Sequence, residues 1–328
     1  LGGQWAYEEL GWGGFWAWDP VENAALMPWL TGTAFLHSVM IQEKRNMLKI
    51  WNVVLIITTF GLTIIGTFLT RSGIINSVHS FTQSEIGPAF LIYLALILIA
   101  GFALLFKRIQ MLESEYKIES VLCRENVFLA QNILLVGIAF TVLLGTTFPL
   151  LAEAVRGTKL SIQAPFFNTI TAPMGYALLI LMGIGMLISW RKSSLDNLRR
   201  NFQNPLIIAS IGTIILVWLL FDKSLQWGVY IIFWATIFVT STILFEIVKS
   251  SQIKARQTES NILMGLFYVI LRNRRRYGGL MIHFGVVLMF LGFAGTFFSL
   301  EKDLTLEAGE SRIIGNYRLE FQNVNEFH

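Results

Sequence analysis

Eight apolar runs of about twenty residues each, separated by short charged stretches, constrain this chain more than any other feature. They lie at 23–41, 51–69, 88–106, 127–148, 174–190, 206–221, 227–247 and 280–299. Each is about the length an α-helix needs to cross a bilayer core. In lipid, a spanning segment must satisfy its own backbone, so the runs predict helices rather than loops or open strands. The expected fold is an all-α polytopic membrane protein with about eight transmembrane helices. Charged residues make up only 14% of the 328 residues, against about a quarter in soluble domains, which excludes an ordinary globular enzyme. The net charge of +4 does not point to nucleic acid, because the basic residues sit in loops between apolar runs. The single cysteine, Cys123, leaves no internal disulfide and no CxxC site.

Lysine and arginine counts predict the orientation. The loops 42–50, 107–126, 191–205 and 248–279 hold 18 of the 25 basic residues, and the remaining segments hold 7. The first group is therefore expected in the cytoplasm, with both ends of the chain on the outer side of the cytoplasmic membrane. The domain plan that follows is an outer segment 1–22, a helical domain 23–299 with outer loops 70–87 and 149–173, and a small extracytoplasmic β segment 300–328. In that last segment Arg312–Ile314 and Tyr317–Phe321 alternate apolar and polar residues as strands do. The chain opens at Leu1 without Met and stops within the β-like segment, so it reads as a piece of a longer protein.

Residues 11–30 read GWGGFWAWDPVENAALMPWL. Trp12, Trp16, Trp18 and Trp29, with Phe15 beside them, fall just before or within the first span. An interfacial aromatic belt is one explanation. A platform for a large planar apolar cofactor is the other, because the glycines allow close approach and the rings offer stacking faces. Asp19, Pro20 and Glu22 have the spacing of a helix-start capping box.

His37 lies about 6 Å before the inner end of the first span, and His283 about 5 Å inside the same edge in the last span, at 1.5 Å per residue. Intramembrane ionisable residues are functional candidates, and neutral imidazoles suit iron. The pair fits a bis-histidine haem b, or two unrelated interhelical hydrogen bonds. His79, in the outer loop after the second span, is either a solvated loop residue or an axial ligand for haem on the platform. Arg71 opens that loop as an interfacial anchor or a propionate partner. No role attaches to His328, and Cys123 reads as incidental. No acid, base or nucleophile is assigned beyond the platform.

The segment from Trp12 to Ser38, WGGFWAWDPVENAALMPWLTGTAFLHS, resembles the tryptophan-rich "WWD" signature of the haem-handling membrane proteins of cytochrome c maturation. Asp19-Pro20-Val21-Glu22-Asn23-Ala24 followed by Met27-Pro28-Trp29 is similar to its cytochrome c haem lyase branch, the CcmF family. Gly66–Leu69 with Arg71-Ser72-Gly73 and Ser77-Val78-His79 looks like the family's next outer loop. Lys159-Leu160-Ser161 and Pro165-Phe166-Phe167-Asn168 look like a third block. Phe15 stands where the family usually has Trp, and Ala17 where a bulkier residue is common.

The resemblance implies covalent attachment of haem to the CxxCH motif of apocytochrome c on the outer face. It places His37 and His283 on the two ligands of a transmembrane haem b. It places His79 on the second of two outer ligands of a transient haem held at Trp12, Phe15, Trp16, Trp18, Asp19, Trp29 and Arg71. The first outer histidine is absent from this chain. The implied partners are the haem chaperone CcmE, apocytochrome c, its CcmH-type and CcmI-type thiol-handling and holding proteins, and quinol. A b-type cytochrome of a quinol oxidoreductase would explain the buried histidines but not the tryptophans. A haem exporter would explain the tryptophans but not the histidines.

Overall fold

The computed structural model describes residues 16–72, 86–114, 116, 118–157, 160, 162–220, 227–298, 304–315 and 317–322. Nine α-helices and one strand pair are found among these described residues. The helices are α1 (Pro20–Arg45), α2 (Lys49–Arg71), α3 (Gly87–Lys107), α4 (Arg124–Arg156), α5 (Ala164–Leu187), α6 (Leu195–Leu220), α7 (Trp227–Gln257), α8 (Ile262–Arg272) and α9 (Arg274–Gly295). All but α8 are long and apolar enough to cross a membrane. The chain is a multi-pass α-helical membrane protein, as the eight apolar runs predict.

Hydropathy marks where a helix meets lipid, not where it ends. The helices overhang their apolar runs accordingly. The expected outer loop 149–173 is mostly helix, because α4 continues to Arg156 and α5 starts at Ala164. Polar residues in these overhangs meet water or headgroups while the intrahelical hydrogen bonds continue. α8 was not expected at all. Its eleven residues fall below any spanning window.

The start of α1 is built as its sequence predicts. Asp19 is the N-cap, Pro20 opens the first turn, and the Asp19 carboxylate accepts from Val21 N at 2.9 Å. The Glu22 carboxylate accepts from Asp19 N at 3.2 Å and from Ala17 N at 3.0 Å. At the other end Lys44 and Arg45 complement the helix dipole, and Asn46 closes the helix in the left-handed conformation.

The chain divides into two compact units, Leu1–Pro205 and Leu206–His328. In the first, α1 packs on α2 and α4, α3 covers α2, and α5 covers α4. Met27, Ala34, Leu55, Leu62, Val142 and Phe167 form its core. The outer face of α3 shows Leu96 and Ile99, as lipid requires. In the second unit α7 is central, with α8 and α9 packed against it. Val229, Ile232, Phe238 and Val239 are buried there. The two strands, β1 (Ser311–Ile314) and β2 (Tyr317–Glu320), pair antiparallel with Ser311 opposite Glu320 and Ile314 opposite Tyr317. These are the strands expected from alternation.

Candidate functional site

The tryptophan segment enters α1 through an unusual backbone. Trp18 has φ +58°, a region that a bulky side chain enters at a cost of about 1–3 kcal/mol. Three contacts hold it there. The indole Nε1 donates to Asn168 Oδ1 at 2.7 Å. The ring stacks on Phe167, with centroids 4.8 Å apart and planes 11° from parallel. The Trp18 carbonyl accepts from Asn23 Nδ2 at 3.0 Å, and the same amide donates to Thr146 Oγ1 at 3.0 Å. α4 makes room for this arrangement at Gly145, where a Cβ would collide with the Phe167 ring. Gly145 and Thr146 therefore serve adjacent parts of one clamp that joins α1, α4 and α5.

Trp16 meets Trp18 edge to face at 5.8 Å. Its Nε1 is buried with no hydrogen-bond partner among the described residues. Trp29 does not join this pair. It sits ten residues into α1 from Asp19, about 15 Å along the helix, and is 54% exposed. It makes no ring contact with Trp16 or Trp18 among the described residues. Nearness in sequence placed it in the platform, and helix geometry turns it outward. Arg71 is the last residue of α2 and is exposed. Trp12, Phe15 and His79 lie outside the described residues.

His37 is on α1, half-buried. Its Nδ1 lies 2.9 Å from the Thr33 carbonyl, one turn back. A carbonyl only accepts, so Nδ1 is the donor in this contact. A metal-ligating histidine commonly donates its other ring nitrogen to a carbonyl in this way. The ring packs edge-on against Phe128 at 5.7 Å, and Phe128 against Trp190 at 5.8 Å. Lys44 and Arg124 lie over the Trp190 ring at 5.5 and 5.4 Å. His283 is on α9 in the second unit, half-buried. No group of three or more His, Cys, Asp or Glu with metal-ligand geometry occurs among the described residues.

Beside His37 runs a polar seam that sequence reasoning missed. Arg45 Nε lies 3.2 Å from Glu125 Oε1 at its inner end, and both side chains are buried. Arg45 Nη2 also donates to Glu119 Oε1 at 2.6 Å. The two cross-links Arg45–Glu125 and Asn23–Thr146 are 22 residues apart on α1 and 21 apart on α4, which fixes the helices antiparallel in one register. That register puts Ser38 and Asn132 at one level, each seven residues on from the ion pair. Ser38 Oγ and both polar atoms of the Asn132 amide are fully buried with no hydrogen-bond partner among the described residues. The signal was present in the sequence as amides inside an apolar run, Gln131-Asn132 and Asn23. Phe167 and Asn168 stand out only through the third block of the family resemblance; no local pattern ties them to Trp18, 150 residues from Asn168.

A family model described as Cytochrome C assembly protein matches residues 1–75. Over the whole chain, the cytochrome c-type biogenesis protein CcmF of Pseudomonas fluorescens is 35% identical. CcmF of Escherichia coli K12 is 34% identical over 99% of the chain. A solved structure titled Cytochrome c Heme Lyase CcmF superposes with TM-score 0.71 at 33% identity, over 96% of this chain and 45% of its own. The chain spans about half the length of the curated relatives it matches, 48% of each of the two named here. With the tryptophan clamp and His37 on one helix, these similarities make the chain a member of the CcmF family of cytochrome c-type biogenesis proteins.

Proposed function

We propose that the chain takes part in covalent attachment of haem to apocytochrome c on the outer face of the cytoplasmic membrane. The observation that carries this reading is α1. It begins at the clamped Trp18-Asp19 pair and bears His37 eighteen residues on, about 27 Å away at 1.5 Å per residue. That is close to the thickness of a bilayer core. One helix thus carries an aromatic surface at one end and an imidazole oriented by a backbone carbonyl near the other. The 18-to-7 distribution of basic residues puts the aromatic end outside.

In this reading Trp16 and Trp18 present a fixed apolar face to the substrate haem, with Trp12, Phe15, Arg71 and His79 contributing to the same platform. Asn168, Phe167 and Asn23 keep that face in place. Orientation is the protein's contribution. The covalent step adds each cysteine S–H of the apoprotein across a haem vinyl group. A C–S bond forms, the vinyl π bond breaks, and the thiol proton moves to the other vinyl carbon. No net oxidation occurs, but the thiols must arrive reduced. Cys123, the one cysteine, lies in a loop assigned to the cytoplasmic side, so partner proteins of the CcmH and CcmI type supply reduced apoprotein and CcmE supplies haem. His37 and His283 would hold a resident haem b, which supplies one-electron transfer when bound, with quinol as donor. For its part, the Thr33 carbonyl orients the His37 ring through Nδ1.

Reduced-minus-oxidised and pyridine haemochrome spectra of the detergent-purified protein test this reading, with His37→Ala and His283→Ala alongside. A b-type bis-imidazole spectrum lost in either variant is expected. A folded wild-type protein without haem would remove the resident-haem part. Trp18→Ala should retain the b-type spectrum and abolish cytochrome c maturation in cells, scored by haem-stained holocytochrome. Normal maturation in that variant would sink the platform.

A further inference from the structure

Between α7, α8 and the start of α9 lies a cavity of about 210 Å³ that the proposed function does not use. Lys254 from α7, Arg272 from α8 and Arg276 from α9 line it, with Ser250, Tyr268 and Tyr277. Arg276 is paired with Glu246, which also accepts from Ser250 Oγ at 3.0 Å. Lys254 and Arg272 have no carboxylate partner among the described residues. Tyr277 is only 7% exposed, and its hydroxyl is buried with no hydrogen-bond partner among the described residues. A buried hydroxyl with no partner costs about 1–3 kcal/mol. Two cations without a carboxylate partner around one open cavity call for an anionic oxygen ligand.

The helix that forms one wall identifies the source of that ligand. α8 reads ILMGLFYVILR, is capped by Asn261, whose side chain accepts from Met264 N, and ends at Arg272. Gly265 and Val269 alone are buried. A Cβ at Gly265 would strike the Ser251 carbonyl of α7, so glycine permits the close approach. Leu263, Phe267, Ile270 and Leu271 are exposed. At about 16 Å the helix is too short to span, and it is too apolar to lie in water. It therefore lies at the boundary of acyl chains and headgroups. α7, at about 46 Å, exceeds the core thickness and carries Lys254 into the headgroup layer.

We infer that this cavity binds the phosphate headgroup of an anionic glycerophospholipid, with Lys254 and Arg272 on the phosphate oxygens and the acyl chains along α8. Basic pockets of this kind on the cytoplasmic side of helical membrane proteins suit such headgroups.

Native mass spectrometry of the protein in a neutral maltoside detergent tests the site with phosphatidylglycerol, phosphatidylcholine and inorganic phosphate as separate probes. One tightly held phosphatidylglycerol is expected, retained at least fivefold better than phosphatidylcholine and not displaced by millimolar phosphate. Lys254→Gln with Arg272→Gln should reduce that occupancy at least fivefold. The matched pair Lys249→Gln with Arg256→Gln, on α7 outside the cavity, should leave it unchanged. Equal retention of both lipids, displacement by phosphate, or equal losses from the two charge pairs would each overturn the proposal.

Discussion

The interiors of the two units bury polar groups differently. In the first unit several reach across helices, Asn23 to Thr146, Thr59 to Thr31 at 2.8 Å, and Arg45 to Glu125, while Thr171 bonds to Phe167 O on its own helix. In the second the fully buried hydroxyls stay on their own helix, and the cross-helix pairs Trp234–Ser210 and Arg276–Glu246 lie nearer the surface. On α7, Thr236 donates to Ile232 O, Ser241 and Thr242 to Phe238 O, and Ser251 to Ile247 O, all on their own helix. Lipid is as apolar as a helix core, so apolar packing alone specifies register weakly in a bilayer. Cross-helix pairs specify it, because a slip leaves both partners unmet. In the unit that carries the tryptophan clamp and His37, buried cross-helix pairs fix the register of α1 on α2 and α4.

The comparison breaks first at the inner ion pair. Glu125→Ala should cost about 3 kcal/mol or more, because it leaves Arg45 buried with only the exposed Glu119 as counter-charge. Thermal unfolding in detergent measures it. Thr236→Val, in the other unit, removes a hydroxyl that bonds only within its helix and should cost less than about 1 kcal/mol. Comparable losses from both would show that cross-helix pairing does not distinguish the units.

A sharper division lies within the seam itself. Asn23→Leu removes both the Trp18 carbonyl contact and the Thr146 contact, and should cost about 2 kcal/mol. Asn132→Leu removes an amide with no hydrogen-bond partner among the described residues. It should be neutral or stabilising by up to about 1 kcal/mol, because an apolar isostere spares a desolvated polar group. The same residue type in the same interface should then move the unfolding midpoint in opposite directions. A large loss at Asn132 would mean that its amide is bonded through ordered water.

The clamp also links stability to the proposed function. Asn168→Leu leaves the Trp18 indole N–H without its acceptor, at a cost of about 1–2 kcal/mol. It should also reduce holocytochrome formation severalfold while leaving the b-type haem spectrum intact. Loss of both together would show that Asn168 supports the whole unit rather than the aromatic face.

How much of this was legible in sequence follows from the range of each interaction. The spans, the capping box at Asp19 and Glu22, and the strand pair at 311–320 rest on local periodicity, and all three are in the structure. The overhang of α4 and α5 into 149–173 and the short helix α8 were not legible, because neither helix termini nor eleven-residue helices carry a spanning signal. Trp29 belongs to the same sequence motif as Trp16 and Trp18, but ten helical residues carry it about 15 Å along the axis from Asp19, a separation that the linear motif does not display. Asn168 and Gly145 belong to the clamp only through tertiary contact. The amides Gln131-Asn132 mark α4 as having a polar partner, but nothing local names that partner as α1.

The smallest effect tests the packing where the first unit meets its inner loops. Cys123 is buried at the start of α4, and its Sγ donates to Ser120 O at 3.0 Å. Burial pushes its thiol above the ordinary value, with the neighbouring Glu125 charge acting in the same direction and a backbone contact from Asn126 opposing it. The neutral thiol is therefore the form the fold prefers. Its contribution is fully present below the ordinary thiol pKa and is lost as pH rises through the raised value. Maleimide labelling of the folded protein at pH 7 should be at least tenfold slower than after denaturation, and should accelerate at higher pH than a free thiol does. Glu125→Gln removes the adjacent charge and should shift that acceleration to lower pH, by less than the burial itself contributes. Fast labelling of the wild type at neutral pH would show that the inner end of the α1–α4 seam is open, and would weaken the contrast between the two interiors at its most buried point.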